Sequence, residues 1–144
     1  MKVASILKRK GTDVVTVTPE TTIVRAAAEL HAMGIGALMV SADGRTMLGM
    51  LSERDIVNGI AVYGARALDL TVSDLMTRKP VTCTPEDTVT RLMTQMTEKR
   101  VRHLPVMEGH ELRGIVSIGD AVKHRLEELE TEANILREAF IARH

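Results

Sequence analysis

The chain has 144 residues, and its 19 basic and 19 acidic side chains leave no net charge at pH 7. That balance removes the long-range field by which proteins are held on nucleic acid or an anionic membrane, so neither is expected as a partner. The N-terminus shows no apolar signal region and no apolar run approaches the roughly 20 residues that span a bilayer, so a cytoplasmic protein is expected.

Val3-Ala4-Ser5-Ile6-Leu7 is a short lead-in, and Val14 to Val17 then forms a β-branched strand. Thr18-Pro19 offers an N-cap hydroxyl followed by proline at a first helical position. Ile23, Ala26, Ala27, Leu30 and Met33 share one helical face, and Gly34 is a natural C-cap. Ala37 to Val40 and Met47 to Leu51 are expected strands joined by a turn at Ala42-Asp43-Gly44, after which Ser52 opens a helix carrying Ile56, Val57 and Ile60. A second lead-in follows at Val72-Ser73-Asp74-Leu75-Met76. The same order then recurs: Val81 to Cys83, a helix with Val89, Leu92, Met93 and Met96, a strand from Leu104 to Met107, a turn at Glu108-Gly109-His110, a strand from Leu112 to Val116, and a helix from Ser117.

These halves are copies of one β-α-β-β-α unit. Val15-Thr16-Val17-Thr18-Pro19-Glu20 recurs as Val81-Thr82-Cys83-Thr84-Pro85-Glu86 at an offset of 66, and Gly49-Met50-Leu51-Ser52-Glu53-Arg54-Asp55 matches Gly114-Ile115-Val116-Ser117-Ile118-Gly119-Asp120 at an offset of 65. A unit of about 60 residues is marginal alone, so the two are expected to pack together. The expected division is residues 1–66 for the first repeat with its lead-in, 67–125 for the second, and 126–144 for an extended C-terminal helix. That helix carries Val122, Leu126, Leu129, Ala133, Leu136 and Phe140 at alternating spacings of four and three, a heptad seam suited to a partner helix, with a fold back onto its own domain as the other arrangement.

Ser52-x-x-Asp55 alone is close to a capping box. Its recurrence as Ser117-x-x-Asp120, each time where a strand enters a helix after a glycine, points further. Such a junction presents backbone N–H groups and a positive dipole to phosphate, the serine adds a hydroxyl, and the aspartate can accept two hydrogen bonds from a ribose diol. The glycine permits close approach by ligand or backbone. Tyr63 and Phe140 are the only aromatic residues, so a flat ligand would lie between aliphatic side chains, nine methionines among the choices. Cys83 is alone and is expected to be a buried apolar residue, and His31, His110, His124 and His144 lack ligand spacing, so no metal is expected. No Walker A loop and no Ser-His-Asp or Cys-His pairing is present, so no catalytic residue is assigned.

The repeated unit, its Gly-h-h-Ser-x-x-Asp ending (h apolar) and Arg102-His103-Leu104-Pro105-Val106 resemble a pair of cystathionine β-synthase (CBS) domains forming one Bateman module, over roughly residues 1 to 125. The resemblance implies an α/β (α+β) fold of two intertwined repeats about a pseudo-twofold axis, with two clefts that bind adenosyl compounds such as AMP, ADP, ATP, NAD(H) or S-adenosylmethionine. It implies that the aspartate takes the ribose hydroxyls, the serine approaches phosphate or ribose, and the start of the first strand holds adenine. Carried over, this groups Asp120, Ser117, Val81 and Thr82 in one site and Asp55, Ser52, Val15 and Thr16 in the other. Arg102 and His103 align with Gly36 and Ala37, which favours a phosphate near the second repeat; Arg54, Pro105, Ile118 and Ala37 complete the candidate binding residues. The expected protein is a non-enzymatic regulatory or sensory module that binds AMP, ATP or NAD(H), forms a homodimer and acts on an unidentified protein partner. The alternative is an interaction module that dimerises through the C-terminal helix and has weak or vestigial nucleotide sites.

Overall fold

The computed structural model describes residues 1–143; His144, the last residue of the expected C-terminal helix, lies outside them. In chain order the elements are α1 (Val3–Lys10), β1 (Thr16–Val17), α2 (Ile23–Met33), β2 (Ala37–Val40), β3 (Gly49–Ser52), α3 (Glu53–Tyr63), a 3-10 helix (Gly64–Asp69), α4 (Val72–Leu75), α5 (Val89–Lys99), β4 (His103–Glu108), β5 (Glu111–Ser117) and α6 (Ile118–Ala142). β1 runs parallel to β2, which pairs antiparallel with β3 so that Ala37 faces Ser52. In the second repeat β4 and β5 form the matching hairpin, with His103 opposite Ser117.

One helix start differs from the sequence expectation. Thr18-Pro19 forms a turn, in which the Thr21 amide donates to the Thr18 carbonyl at 3.1 Å, and α2 begins four residues later with Thr22 as its N-cap. Thr88 caps α5 in the same way. The intervening carbonyls are needed elsewhere, since the Pro19 and Thr21 carbonyls accept from Ser73 and Val72 at 2.9 and 2.8 Å. The Pro85 and Asp87 carbonyls likewise accept from Ala4 and Val3, at 2.9 and 2.8 Å.

Those bonds show how the repeats are intertwined. Each lead-in helix docks on the other repeat: Val3, Ile6 and Leu7 of α1 are buried with Cys83, Leu92, Leu104 and Val116, whereas Val72 is buried with Ile23, Leu38 and Leu51. The glycines before the Ser-x-x-Asp segments make room for this exchange. A Cβ on Gly49 would lie 2.7 Å from the Thr77 carbonyl oxygen and one on Gly114 would lie 2.7 Å from a Leu7 methyl, so the close approach is by the exchanged lead-in.

The first strand of the second repeat shrinks to a single parallel bridge between Cys83 and Val106. Pro105 is the reason. In the first repeat the Met39 amide donates to the Val15 carbonyl at 3.0 Å; Pro105 stands at the equivalent place and has no N–H to give Val81. Only the bonds around Cys83 survive, to the Pro105 carbonyl at 3.0 Å and from the Met107 amide at 2.8 Å. Cys83 is buried as expected, and burial, helped by the Asp87 charge, pushes its thiol up to about 12.

α6 is one helix of 25 residues. Its first turns bury Ala121 and His124, but Val122, Leu126, Leu129, Leu136 and Phe140 are exposed, so the seam does not fold back onto its own domain. Among the described residues no helix is long and apolar enough to cross a membrane.

Candidate functional site

Two clefts flank the line where the repeats meet. The first encloses about 230 Å³ and is walled by Ser52, Glu53, Arg54 and Asp55 from the start of α3, by Thr77, Lys79, Pro80 and Val81 from the second lead-in, and by the segment from Arg100 to His103. The second encloses about 360 Å³ between Lys10, Asp13, Val14 and Val15 on one side and Gly34 to Ala37, Ile115 and Ser117 on the other. The first cleft therefore joins Ser52 and Asp55 to the first-strand segment of the second repeat, and the second joins Ser117 to that of the first. This corrects the grouping expected from sequence: Ser52 and Asp55 meet Val81, and Ser117 meets Val15, because the lead-ins have been exchanged. Arg102 and His103 consequently stand beside Ser52 and Asp55.

His103 lines both clefts, and its ring occupies the space next to Gly36, where a Cβ would lie 2.8 Å from Cε1. Burial, then the Lys10 charge, lower its pKa below 6.5, with Arg102 adding to the effect and Glu53 and Asp120 opposing it. Asp120, Thr16, Thr82, Pro105 and Ile118 lie outside both cleft walls.

Both Ser-x-x-Asp segments are complete capping boxes. The Ser52 amide donates to Asp55 Oδ2 at 2.9 Å and the Asp55 amide to Ser52 Oγ at 3.3 Å; Ser117 and Asp120 repeat the pattern at 2.9 and 3.1 Å. The Glu53 and Ile118 amides are also occupied, by the Gly36 and Arg102 carbonyls at 3.0 and 2.8 Å. Of the first three amides of α3 only that of Arg54 is left, so the helix terminus offers a phosphate less than the sequence pattern suggests.

The aspartates differ in their neighbours. Asp55 Oδ1 accepts from Thr77 Oγ1 at 3.2 Å, whereas Asp120 Oδ2 also accepts from Lys10 Nζ at 2.6 Å. Burial pushes the Asp120 carboxyl up, but the Lys10 ammonium and the Ser117 amide outweigh it and hold the group below the usual carboxylate value. Lys10 also donates to the Ile115 carbonyl at 2.9 Å. In the first cleft Lys79 is the counterpart of Lys10, at an offset of 69 along the lead-ins, yet among the described residues it makes no ion pair. The backbone explains the difference: α4 ends at Leu75 and is already extended at Met76, whereas α1 stays helical through Lys10 and turns its end toward β5.

A model of the CBS domain matches residues 3–62 and again 72–127. The chain belongs to the CBS-domain family. Among relatives of this CBS pair, the mitochondrial CBS domain-containing protein CBSX3 of Arabidopsis thaliana is 34% identical over 129 residues, which cover 84% of this chain and 63% of that protein. The crystal structure of the CBS-domain protein ATU1752 from Agrobacterium tumefaciens is 48% identical, with a TM-score of 0.83, covering 87% of this chain and 99% of that one. The CBS pair of protein MJ0100, solved in complex with 5′-methylthioadenosine and S-adenosyl-L-methionine, shares the fold at 22% identity and a TM-score of 0.74, over 85% of this chain and 98% of that one.

Sequence reasoning missed Lys10, Lys79 and Arg100 in the clefts of this CBS pair. The first two carry a signal in the sequence, since Leu7-Lys8-Arg9-Lys10 and Met76-Thr77-Arg78-Lys79 extend the lead-in repeat. Arg100 is harder to find, because its place is taken by Gly34 in the other copy.

Proposed function

We propose that this CBS pair is a non-enzymatic regulatory module that binds an adenine nucleotide, AMP, ATP or NAD(H), and passes the change in shape to a protein partner. The observation that carries the reading is the first cleft: Asp55 for a ribose diol, Val81 for adenine, and cations beside them for phosphate. The Val81 carbonyl, which lacks the ladder bond that Val15 accepts, suits the adenine amino group. The adenosyl compounds held by the MJ0100 pair support the same ligand class. A homodimer is the expected assembly, with the apolar stripe of α6 covered by a second copy and the protein working in the cytoplasm. Regulation then follows from unequal nucleotide affinity for two dimer geometries.

The test is calorimetry on the intact protein, after mass spectrometry of the heat-released supernatant has shown whether a nucleotide co-purifies. Asp55→Ala is expected to weaken binding by about 1–3 kcal/mol, the range for leaving polar groups unpaired. Asp120→Ala, whose carboxylate already holds Lys10, should cost less. Failure of AMP, ATP and NADH alike to bind rejects the reading and moves the interaction module ahead.

A further inference from the structure

We propose that the first cleft is built for an adenosine 5′-diphosphate group, the unit shared by ADP, ATP and NAD(H), and that the second cleft is not. The proposal rests on the nucleotide reading above and narrows it to one cleft and one ligand class.

The decisive difference lies where each repeat turns from its first helix into its middle strand. Gly34-Ile35-Gly36 lines the second cleft, and the equivalent Arg100-Val101-Arg102 lines the first. Gly34 closes α2 in the left-handed conformation at φ 63, and the fold demands the same backbone of its counterpart. Arg100 adopts it at φ 54, as the only residue other than glycine with positive φ among those described. A side chain other than glycine, asparagine or aspartate is rare there, and residues held in such conformations gather at ligand sites.

Lys79 and Arg54 add two more cations to the same wall, with Arg54 donating to the Arg100 carbonyl at 2.8 Å. Among the described residues none of Arg54, Lys79, Arg100 and Arg102 takes part in an ion pair. The acidic residues lining that cleft are Glu53 and Asp55. With most of the first amides of α3 already bonded, phosphate recognition falls to these side chains. Four cations from three separate segments are more than one phosphate group can engage, whereas a diphosphate spreads its oxygens across them.

The second cleft has the opposite character. Its lysine is spent on Asp120 and the Ile115 carbonyl, Asp13 adds a negative charge, and glycines replace both arginines. Its Val15 carbonyl is bonded to Met39 as well, so both the base end and the phosphate end of a nucleotide find less there.

Calorimetry of the full chain with AMP, ADP, ATP and NADH tests this. ADP is expected to bind at least about tenfold tighter than AMP, equivalent to about 1.4 kcal/mol. ATP above ADP would extend the unit to a triphosphate, and NADH equal to ADP would extend it to a dinucleotide; either supports the assignment. Arg100→Gly should weaken ADP more than AMP while raising the thermal midpoint, because glycine relieves the left-handed backbone. Lys79→Ala should repeat the loss on ADP without that gain in stability. AMP binding with no preference for ADP, or an Arg100→Gly protein that keeps the preference, overturns the inference and leaves the nucleotide reading standing. No binding by any of the four overturns both.

Discussion

The imidazole of His103 sits where the two clefts meet, and its place fixes Gly36. A methyl group there would come within 2.8 Å of the ring, so Gly36→Ala should displace His103 and lower stability by about 1–3 kcal/mol, the usual cost of overpacking, as read by denaturant titration. The same ring gives the molecule a pH dependence. Its pKa is lower in the folded chain than the ordinary 6.5, so the folded state binds fewer protons and stability increases with pH through that window. The contribution is complete above 6.5 and is lost as the pH falls below it, and His103→Gln should flatten thermal midpoints measured between about pH 7 and 5. Asp120, also lowered, acts in the same direction further down: its contribution is present above 3.8 and disappears as the pH falls below that. The sequence singled out His103 and Asp120 but not their mutual neighbour Lys10, since that lysine reaches both through a helix 110 residues away from Asp120 in the chain.

At the scale of elements, the lead-in helices carry the connection between the repeats. α1 precedes the first repeat in the chain but supplies Val3, Ile6 and Leu7 to the core of the second. Ile6→Ala should therefore cost about 2–5 kcal/mol, and hydrogen exchange should show the loss of protection first in α5, β4 and β5 rather than in the adjoining β1 and α2. Pro105 acts by what it lacks. Pro105→Val restores an N–H opposite the Val81 carbonyl, so the rudimentary strand should lengthen to match β1, and nucleotide affinity should fall by about 1 kcal/mol as that acceptor is consumed. The strand alternation and helix faces were legible because they repeat over a few residues. The displaced start of α2 was not, because the bonds that decide it come from a segment more than 50 residues away, and neither was the shortened strand, which depends on its pairing with a strand more than 20 residues further on.

For the whole molecule, mirrored exchange of α1 and α4 means that neither repeat has a complete core of its own. Thermal unfolding should be a single transition, with calorimetric and van't Hoff enthalpies equal; two resolved transitions would contradict the exchange. The exposed stripe on α6, with Leu129 at 43% and Leu136 at 71% exposure, is the surface assigned to a second copy. Sedimentation at micromolar concentration should show a dimer that Leu129→Glu with Leu136→Glu converts to a monomer without loss of helix content.

The sequence by itself determined the duplication, the β-α-β-β-α order, the paired Ser-x-x-Asp segments and the family, all of which are written in short-range patterns and in their recurrence. Only the tertiary structure decided which halves of the two sites face each other, because exchanging two lead-ins reassigns every cross-repeat partner without altering a single local motif. It also decided that the clefts differ. Lys10 and Lys79 are equivalent in the repeat, but α1 stays helical through Lys10 while α4 ends at Leu75, and their charges go to different ends.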